Sequence, residues 1–500
     1  MNEMSTKKMV TKNHTMEYAR ELMKNNNNNN DCRGHLVLVP CPLQGHMSPM
    51  LHLAKLLHSR GFSITIILVS SNELNPCQYP EFMFHYMDNI ISYNSFGGDV
   101  MLYLLMLNNK CTTPFTDSLL TLTKLQFGPV TCVVYDAVMY FSAAVADQLQ
   151  IPRIVLRTSS ASTFLALSLL THNANAFINQ QPKEHDEAEE AIVADFPILR
   201  AKDMPVFETS DQEAAEKVLA KIHHGTKTAS ALIWNSLYCL EKSIFNRVKD
   251  KISAPIYPIC PRLHYNFKNN NNQVITNSSS FKSLMYNGTC SDDDDQSCMS
   301  WLDSQPSNSV VYVSTGTVVR VSKSEVGEMA WGLANSEQPF LWVVRPGLVN
   351  GSSSNSGLEV LPKGFLEITK KRGKVVQWAP QQKVLGHKAI GGFWTHNGWN
   401  STIESVNEGV PMICWPRIGD QRVNARIVTS VWKVGIELEE NNLKRWKVER
   451  AVRRLMVDGE GKEIRNRAVK LKENVRLSLG QGGSSSEYLD KLVQFIKLLP

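Results

Sequence analysis

The sequence predicts an α/β protein made of two Rossmann-like domains, each with a parallel sheet, that face one another across a cleft. Three observations carry this. Short β-rich apolar runs alternate with helical patterns along the first half; a long polar tract interrupts them; the alternation then restarts with the same rhythm. Strand–helix alternation of this kind builds parallel sheets. Two such units place a ligand cleft at the carboxyl ends of their strands.

Residues 1–33, which include the Asn tract at 25–30, read as a disordered leader. The first domain, 34–262, opens with a strand at 35–40. Ser48-Pro49 then starts a helix with an apolar face of Met50, Leu53, Ala54 and Leu57, stopped at Gly61. Strands follow at 63–69, 132–135, 153–156 and 232–235, with a helix at 138–149. The stretch 263–298, with Asn269-Asn270-Asn271-Asn272 and Asp292-Asp293-Asp294-Asp295, is too polar to bury a core and reads as an interdomain linker. The second domain, 299–480, has strands at 309–314, 340–345, 375–378, 391–395 and 411–415, and a helix at 323–335. A last amphipathic helix in 481–500 carries Leu489, Leu492, Val493, Phe495 and Ile496, a stripe suited to packing back on the first domain.

Composition narrows the function. Of the 500 residues 43% are apolar and 20% charged, and the net charge is +6. That is ordinary globular material, with no basic run interleaved with aromatics of the kind nucleic-acid binders carry. Lys444-Arg445-Trp446-Lys447 is followed by Val448-Glu449-Arg450 and reads as a solvated helix face. Ten scattered cysteines with no CxxC pair suit a reducing compartment and offer no metal site. No run reaches the roughly 18 apolar residues of a spanning helix, and the N-terminus lacks a secretory h-region. A cytoplasmic protein is expected.

Chemistry concentrates in the second domain. Trp378-Ala379-Pro380-Gln381 follows a strand, so Trp378 is either a platform for a nucleobase or a core residue. Next, Thr395-His396-Asn397-Gly398-Trp399-Asn400-Ser401 runs from a strand into a helix N-terminus, where free N–H groups and the helix dipole favour an anion. Ser401-Thr402-Ile403-Glu404 also fits a capping box, which would explain Ser401 and Glu404 structurally. Gly419-Asp420-Gln421 closes another strand end. It offers a carboxylate and an amide to sugar hydroxyls, or it is a polar turn.

The box 378–421 resembles, in residues and spacing, the signature of plant family-one UDP-glycosyltransferases. The resemblance implies a GT-B fold and a UDP-sugar site. In it Trp378 stacks on uracil, Ala379 binds the base edge, and Gln381 and Glu404 bind the ribose. His396, Asn400 and Ser401 hold the diphosphate with Thr317, while Trp399, Asp420 and Gln421 meet the sugar. Asn397 stands where many members have Cys. Gln421 in the last position points to UDP-glucose, which acts as co-substrate; no further cofactor and no metal are expected.

In the first domain, Cys41-Pro42-Leu43-Gln44-Gly45-His46 follows the first strand and lacks the GxGxxG of a dehydrogenase. A lone His there is structural or catalytic. The loop is similar to the family's catalytic one, which makes His46 the general base and Asp136, after 132–135, the carboxylate that orients it. The resemblance thus implies inverting transfer to a hydroxyl, nitrogen or carboxyl group of a small, largely apolar acceptor such as a flavonoid, cytokinin or terpenoid. It extends to Ile154-Val155-Leu156-Arg157-Thr158-Ser159-Ser160, Ile233-Trp234-Asn235-Ser236 and Asp420-Gln421-Arg422-Val423-Asn424-Ala425-Arg426. Besides Asn397, three features depart from it: Thr315 replaces a usual aromatic, Cys260 replaces the Gly of Ile-Gly-Pro, and the leader and the Asn/Asp linker are longer than usual. Phe141, Phe164 and Leu165 either line an acceptor pocket or fill core. A monomer is expected. The rival readings are a degenerate UDP-sugar binder and a sugar-nucleotide epimerase or hydrolase on the same fold. The epimerase or hydrolase would need acid–base groups beyond His46 and Asp136.

Overall fold

The computed structural model describes residues 33–70, 74–87, 93–124, 129–170, 191–193, 195–264, 292–349, 357–438 and 443–500. Nearly all of the predicted leader, and 265–291 of the predicted linker, lie outside them. The first sheet is formed by β1 (His35–Val39), β2 (Ser63–Leu68), β3 (Met83–Tyr86), β4 (Val130–Asp136), β5 (Arg153–Arg157), β6 (Ala231–Trp234) and β7 (Ile256–Pro258), in the order β3-β2-β1-β4-β5-β6-β7. The second is formed by β8 (Val310–Ser314), β9 (Phe340–Val343), β10 (Gly373–Val376), β11 (Ile390–Thr395), β12 (Met412–Cys414) and β13 (Gly435–Glu437), in the order β10-β9-β8-β11-β12-β13. Every pairing is parallel. Central strands are buried along their whole length, which is why they read as unbroken Val/Ile/Leu runs. Winding reverses between β1 and β4 and again between β8 and β11, and crevices at these switch points are where α/β sheets bind ligands.

Several boundaries differ from the sequence reading. The first helix is Gln44–His58, so Pro49 lies inside it rather than opening it. The strand expected at 375–378 is Gly373–Val376, which leaves Trp378 beyond its end. The helix expected at 138–149 is Phe141–Gln148. A helix, Asp292–Asp303, begins within the stretch assigned to the linker, and its buried Cys298 and Leu302 pack into the second domain's core. The helix Val100–Lys124 was not foreseen. It seats Leu104, Leu107, Phe115 and Leu119 in the first domain's core despite an internal Pro114.

The helix Ser484–Lys497 returns to the first domain. Leu489, Leu492, Val493 and Ile496 join the cluster of Leu36, Leu38 and Ile64, and Ser485 Oγ donates to Ile259 O at 2.8 Å. The basic segment 444–450 behaves as a helix face: Val448, Ala451, Val452 and Leu455 are buried, while Arg445 pairs with Glu328 at 2.7 Å. Among the described residues no helix is long and apolar enough to cross a membrane.

Candidate active site

His46 lies in the first turn of Gln44–His58, directly after β1, and Asp136 is the last residue of β4, the neighbouring strand. The switch point therefore brings together two residues far apart in sequence. His46 Nδ1 is 2.8 Å from Asp136 Oδ2 and 3.0 Å from Thr158 Oγ1. Asp136 is fully buried and its Oδ1 accepts from Val138 N at 3.1 Å, whereas the His46 side chain keeps 26% of its exposure. A carboxylate beside Nδ1 fixes the proton there and leaves Nε2 as the basic atom. Burial pulls the His46 pKa down, but the charge and hydrogen bond of Asp136, with the charge of Asp420, outweigh it and raise the value.

Asp420 faces this pair from the other domain. Burial pushes its carboxyl above the usual range, against a 3.1 Å hydrogen bond from Asn424 Nδ2 and the charge of His46. Arg157, at the end of β5, is buried between them. Burial lowers its pKa to about 10 against the charges of Asp136 and Asp420. Its guanidinium lies 5.3 Å from the Phe164 ring centroid.

The opposite wall is the N-terminus of the helix Trp399–Glu408. Its N-cap is Gly398 with no side-chain bond, so the expected capping box does not form. Ser401 is instead the third residue of the helix, within its first turn. Its Oγ accepts from Gln381 Nε2 at 3.0 Å, and the same nitrogen donates to Glu404 Oε2 at 2.8 Å. The amides of the first turn have no intrahelical acceptor and point out of the helix end, the arrangement that binds phosphate. Beside them the His396 ring lies between two glycines: a Cβ on Gly316 would lie 2.5 Å from its Cε1, and one on Gly398 2.5 Å from its Nε2. Burial, aided by the charge of Arg345, lowers the His396 pKa to about 4, so the ring is neutral at working pH. Thr317 sits in the turn after β8, one residue past Gly316, and Thr315 is buried. Trp378 is half-buried beyond β10, and Ala379 is buried beside it.

Trp399, Gln421 and Asn397 have a structural task that sequence did not reveal. The Trp399 side chain turns away from the helix end, and its Nε1 donates to Asn235 O at 2.6 Å, so only its backbone can face a ligand at that end. Gln421 Oε1 accepts from the amides of Arg417 (2.8 Å) and Ile418 (3.1 Å), which makes Nε2 the group it can offer. Asn397 adopts φ +60 and its Nδ2 donates to Cys414 Sγ, away from the cleft. Asn enters that left-handed region more readily than Cys.

Asn400, together with residues that had no expected role, closes the cleft. Asn400 Nδ2 donates to Gly45 O at 2.7 Å, and Asn235 Nδ2 donates to Asn400 Oδ1 at 2.9 Å. Buried Asn424 accepts from Ser160 Oγ at 3.0 Å and donates to Asn397 O at 3.1 Å. Gly419 N donates to Val206 O at 2.6 Å. Thr158, Ser160, Asn235 and Asn424 all lie in family-like stretches, but nothing in sequence says which partner each meets. Phe141 and Phe164 fill core: Phe141 meets Phe115 edge-on, as Phe164 meets Trp234. Leu165 is buried with Phe164.

Two Rossmann-like domains thus carry a His–Asp pair on one lip of the cleft and an uncapped helix end with a Gln–Ser–Glu cluster on the other. Residues 280–473 match the family described as UDP-glucoronosyl and UDP-glucosyl transferase. The chain is 41% identical to UDP-glycosyltransferase 76B1 of Arabidopsis thaliana, over 92% of this chain and 97% of that one. It is 40% identical to flavonol 3-O-glucosyltransferase UGT76E12 of the same plant, over 93% and 98%. Its fold is similar to that of Phytolacca americana UGT2 complexed with UDP-2fluoro-glucose and pterostilbene, with a TM-score of 0.74, 27% identity, and coverage of 93% of this chain and 99% of that one. The chain belongs to the plant family-one UDP-glycosyltransferases.

Proposed function

We propose that the enzyme transfers glucose from UDP-glucose, with inversion, to a nucleophilic group of a small, largely apolar acceptor, giving a β-glucoside. The observation that carries this reading is the 2.8 Å contact between His46 and Asp136 at the cleft edge, across from the helix end of Trp399–Glu408. His46 Nε2 takes the acceptor proton while the acceptor attacks C1 of glucose. The C1–O bond to UDP breaks on the opposite face, and Asp136 stabilises the imidazolium. The departing diphosphate gains negative charge, which the first-turn amides, His396, Asn400, Ser401 and Thr317 receive. These fixed donors supply the positive field without a metal or a further cofactor. Trp378 and Ala379 hold uracil; Gln381 and Glu404 hold the ribose; Asp420, Gln421 Nε2 and the Trp399 backbone hold the sugar.

A relative is a flavonol 3-O-glucosyltransferase, and a structural neighbour was complexed with UDP-2fluoro-glucose; both support a glucosyl donor. The enzyme works as a cytoplasmic monomer in this reading. Incubation with UDP-glucose and flavonols, cytokinins, terpenoid alcohols or carboxylic acids tests it. Glucoside formation on at least one class is expected, whereas tight UDP binding with no transfer to any would favour a sugar-nucleotide binder.

A further inference from the structure

The segment that leaves the first domain is held rigidly. Ile259 N and Cys260 N both reach Trp234 O (3.1 and 3.3 Å), and His264 N returns to Cys260 O at 3.3 Å. Cys260 is buried at φ +49, the backbone turn for which the family's Gly is suited. The next residues are Pro261 and Arg262. The Arg262 guanidinium crosses from this segment to the second domain and pairs with Glu404 Oε1. Glu404 is 4% exposed, and its other oxygen takes Gln381 Nε2. A buried carboxylate needs such partners, since leaving it uncompensated is costly. A carboxylate has about four acceptor positions, so these two bonds leave room for a ribose hydroxyl.

We propose that Arg262 is a donor-positioning residue: from the interdomain segment it aims the Glu404 carboxylate at the ribose of UDP-glucose. The proposal rests on the reading of Gln381 and Glu404 as ribose ligands. It makes nucleotide affinity depend on a residue outside the 378–421 box. A staple between domains alone would leave the nucleotide's own affinity unchanged.

The test is UDP titration calorimetry and steady-state kinetics on the full-length enzyme, as wild type, Arg262→Ala, Arg262→Lys, Glu404→Gln and the Arg262→Ala/Glu404→Gln double variant. Arg262→Ala is expected to raise the UDP Kd and the UDP-glucose KM about tenfold, the scale of one charge-assisted hydrogen bond. Acceptor KM stays unchanged and kcat falls less than about twofold. Arg262→Lys keeps the charge without the fork and recovers part of the loss. The double variant binds UDP no more weakly than Glu404→Gln alone. Wild-type UDP affinity in Arg262→Ala, or additive losses in the double variant, overturns the proposal. If Arg262→Ala does not fold, wild-type affinity in Arg262→Lys overturns it. Glu404→Gln that binds UDP like wild type removes the ribose assignment itself, and the proposal with it. Weakened Glu404→Gln beside unaffected Arg262→Ala removes the proposal alone.

Discussion

The carbonyl of Gly45 accepts a 2.7 Å hydrogen bond from Asn400 Nδ2, and Pro49 is why that carbonyl is available. In an uninterrupted helix it would take the N–H of residue 49, which proline lacks. The unsatisfied acceptor, one residue before His46, is instead satisfied across the cleft by the helix whose N-terminus faces the donor. Asn400→Ala should lower kcat and raise the UDP-glucose KM, together by about fivefold in kcat/KM, the scale of one hydrogen bond to a carbonyl that water can reach once Asn400 is gone. Asn400→Asp should be worse, because it sets a carboxylate oxygen against the Gly45 carbonyl. Steady-state kinetics with varied UDP-glucose check both.

The Asp136 carboxylate raises the His46 pKa against the opposing effect of burial. The base must be neutral to act, so kcat/KM falls as pH drops through that raised value. Asp136→Asn removes the larger raising influence, leaving only the charge of Asp420, and keeps the burial. The acid limb of the pH profile should move to lower pH while the plateau falls by about 10² or more. A pH–rate profile of both enzymes reads the two effects separately.

Gly316 and Gly364 both have positive φ, at +74 and +81, but only Gly316 has a neighbour in the way. Gly364→Ala should cost the left-handed conformation alone, about 1–2 kcal/mol. Gly316→Ala bears that cost and also displaces the His396 ring, so it should lower thermal stability further and raise the UDP-glucose KM. Thermal unfolding with UDP titration distinguishes them: Gly364→Ala should bind UDP like wild type.

Gln421 holds its loop with Oε1 and can meet sugar with Nε2. Gln421→Glu keeps the acceptor for the Arg417 and Ile418 amides and removes the donor. The melting temperature should change by less than about 2 °C, while UDP-glucose turnover falls and UDP affinity holds. Gln421→Ala should lose both. Calorimetric UDP binding beside turnover separates the loop's need from the sugar's.

Much of this was legible because the chemistry and the fold share one pattern. Strand ends are marked by a change from apolar runs to His46, Asp136, His396 and Asp420, and parallel sheets gather such ends in one crevice. What stayed hidden depends on distance across the cleft. Thr158, Asn235, Asn424 and Arg262 are ordinary polar residues until folding sets them against His46, Asn400, Asp420 and Glu404. The Ser401–Glu404 spacing fits a capping box as well as a ligand site, and only the start of the helix at Trp399 decides against the cap. Pro49 misled for a related reason: the carbonyl it leaves open inside this helix is taken by Asn400, 351 residues on. Gln421 shows a further limit, since one side chain can carry both a loop and a ligand.

The most direct test of the central claim is the glucoside formed by wild type and by His46→Ala from UDP-α-glucose with the best acceptor found. Product amount and anomeric configuration are read by mass spectrometry and proton NMR, and UDP affinity by calorimetry. The account predicts a β-glucoside from wild type and essentially none from His46→Ala, with UDP affinity unchanged. An α-glucoside, or transfer by His46→Ala at the wild-type rate, would contradict it.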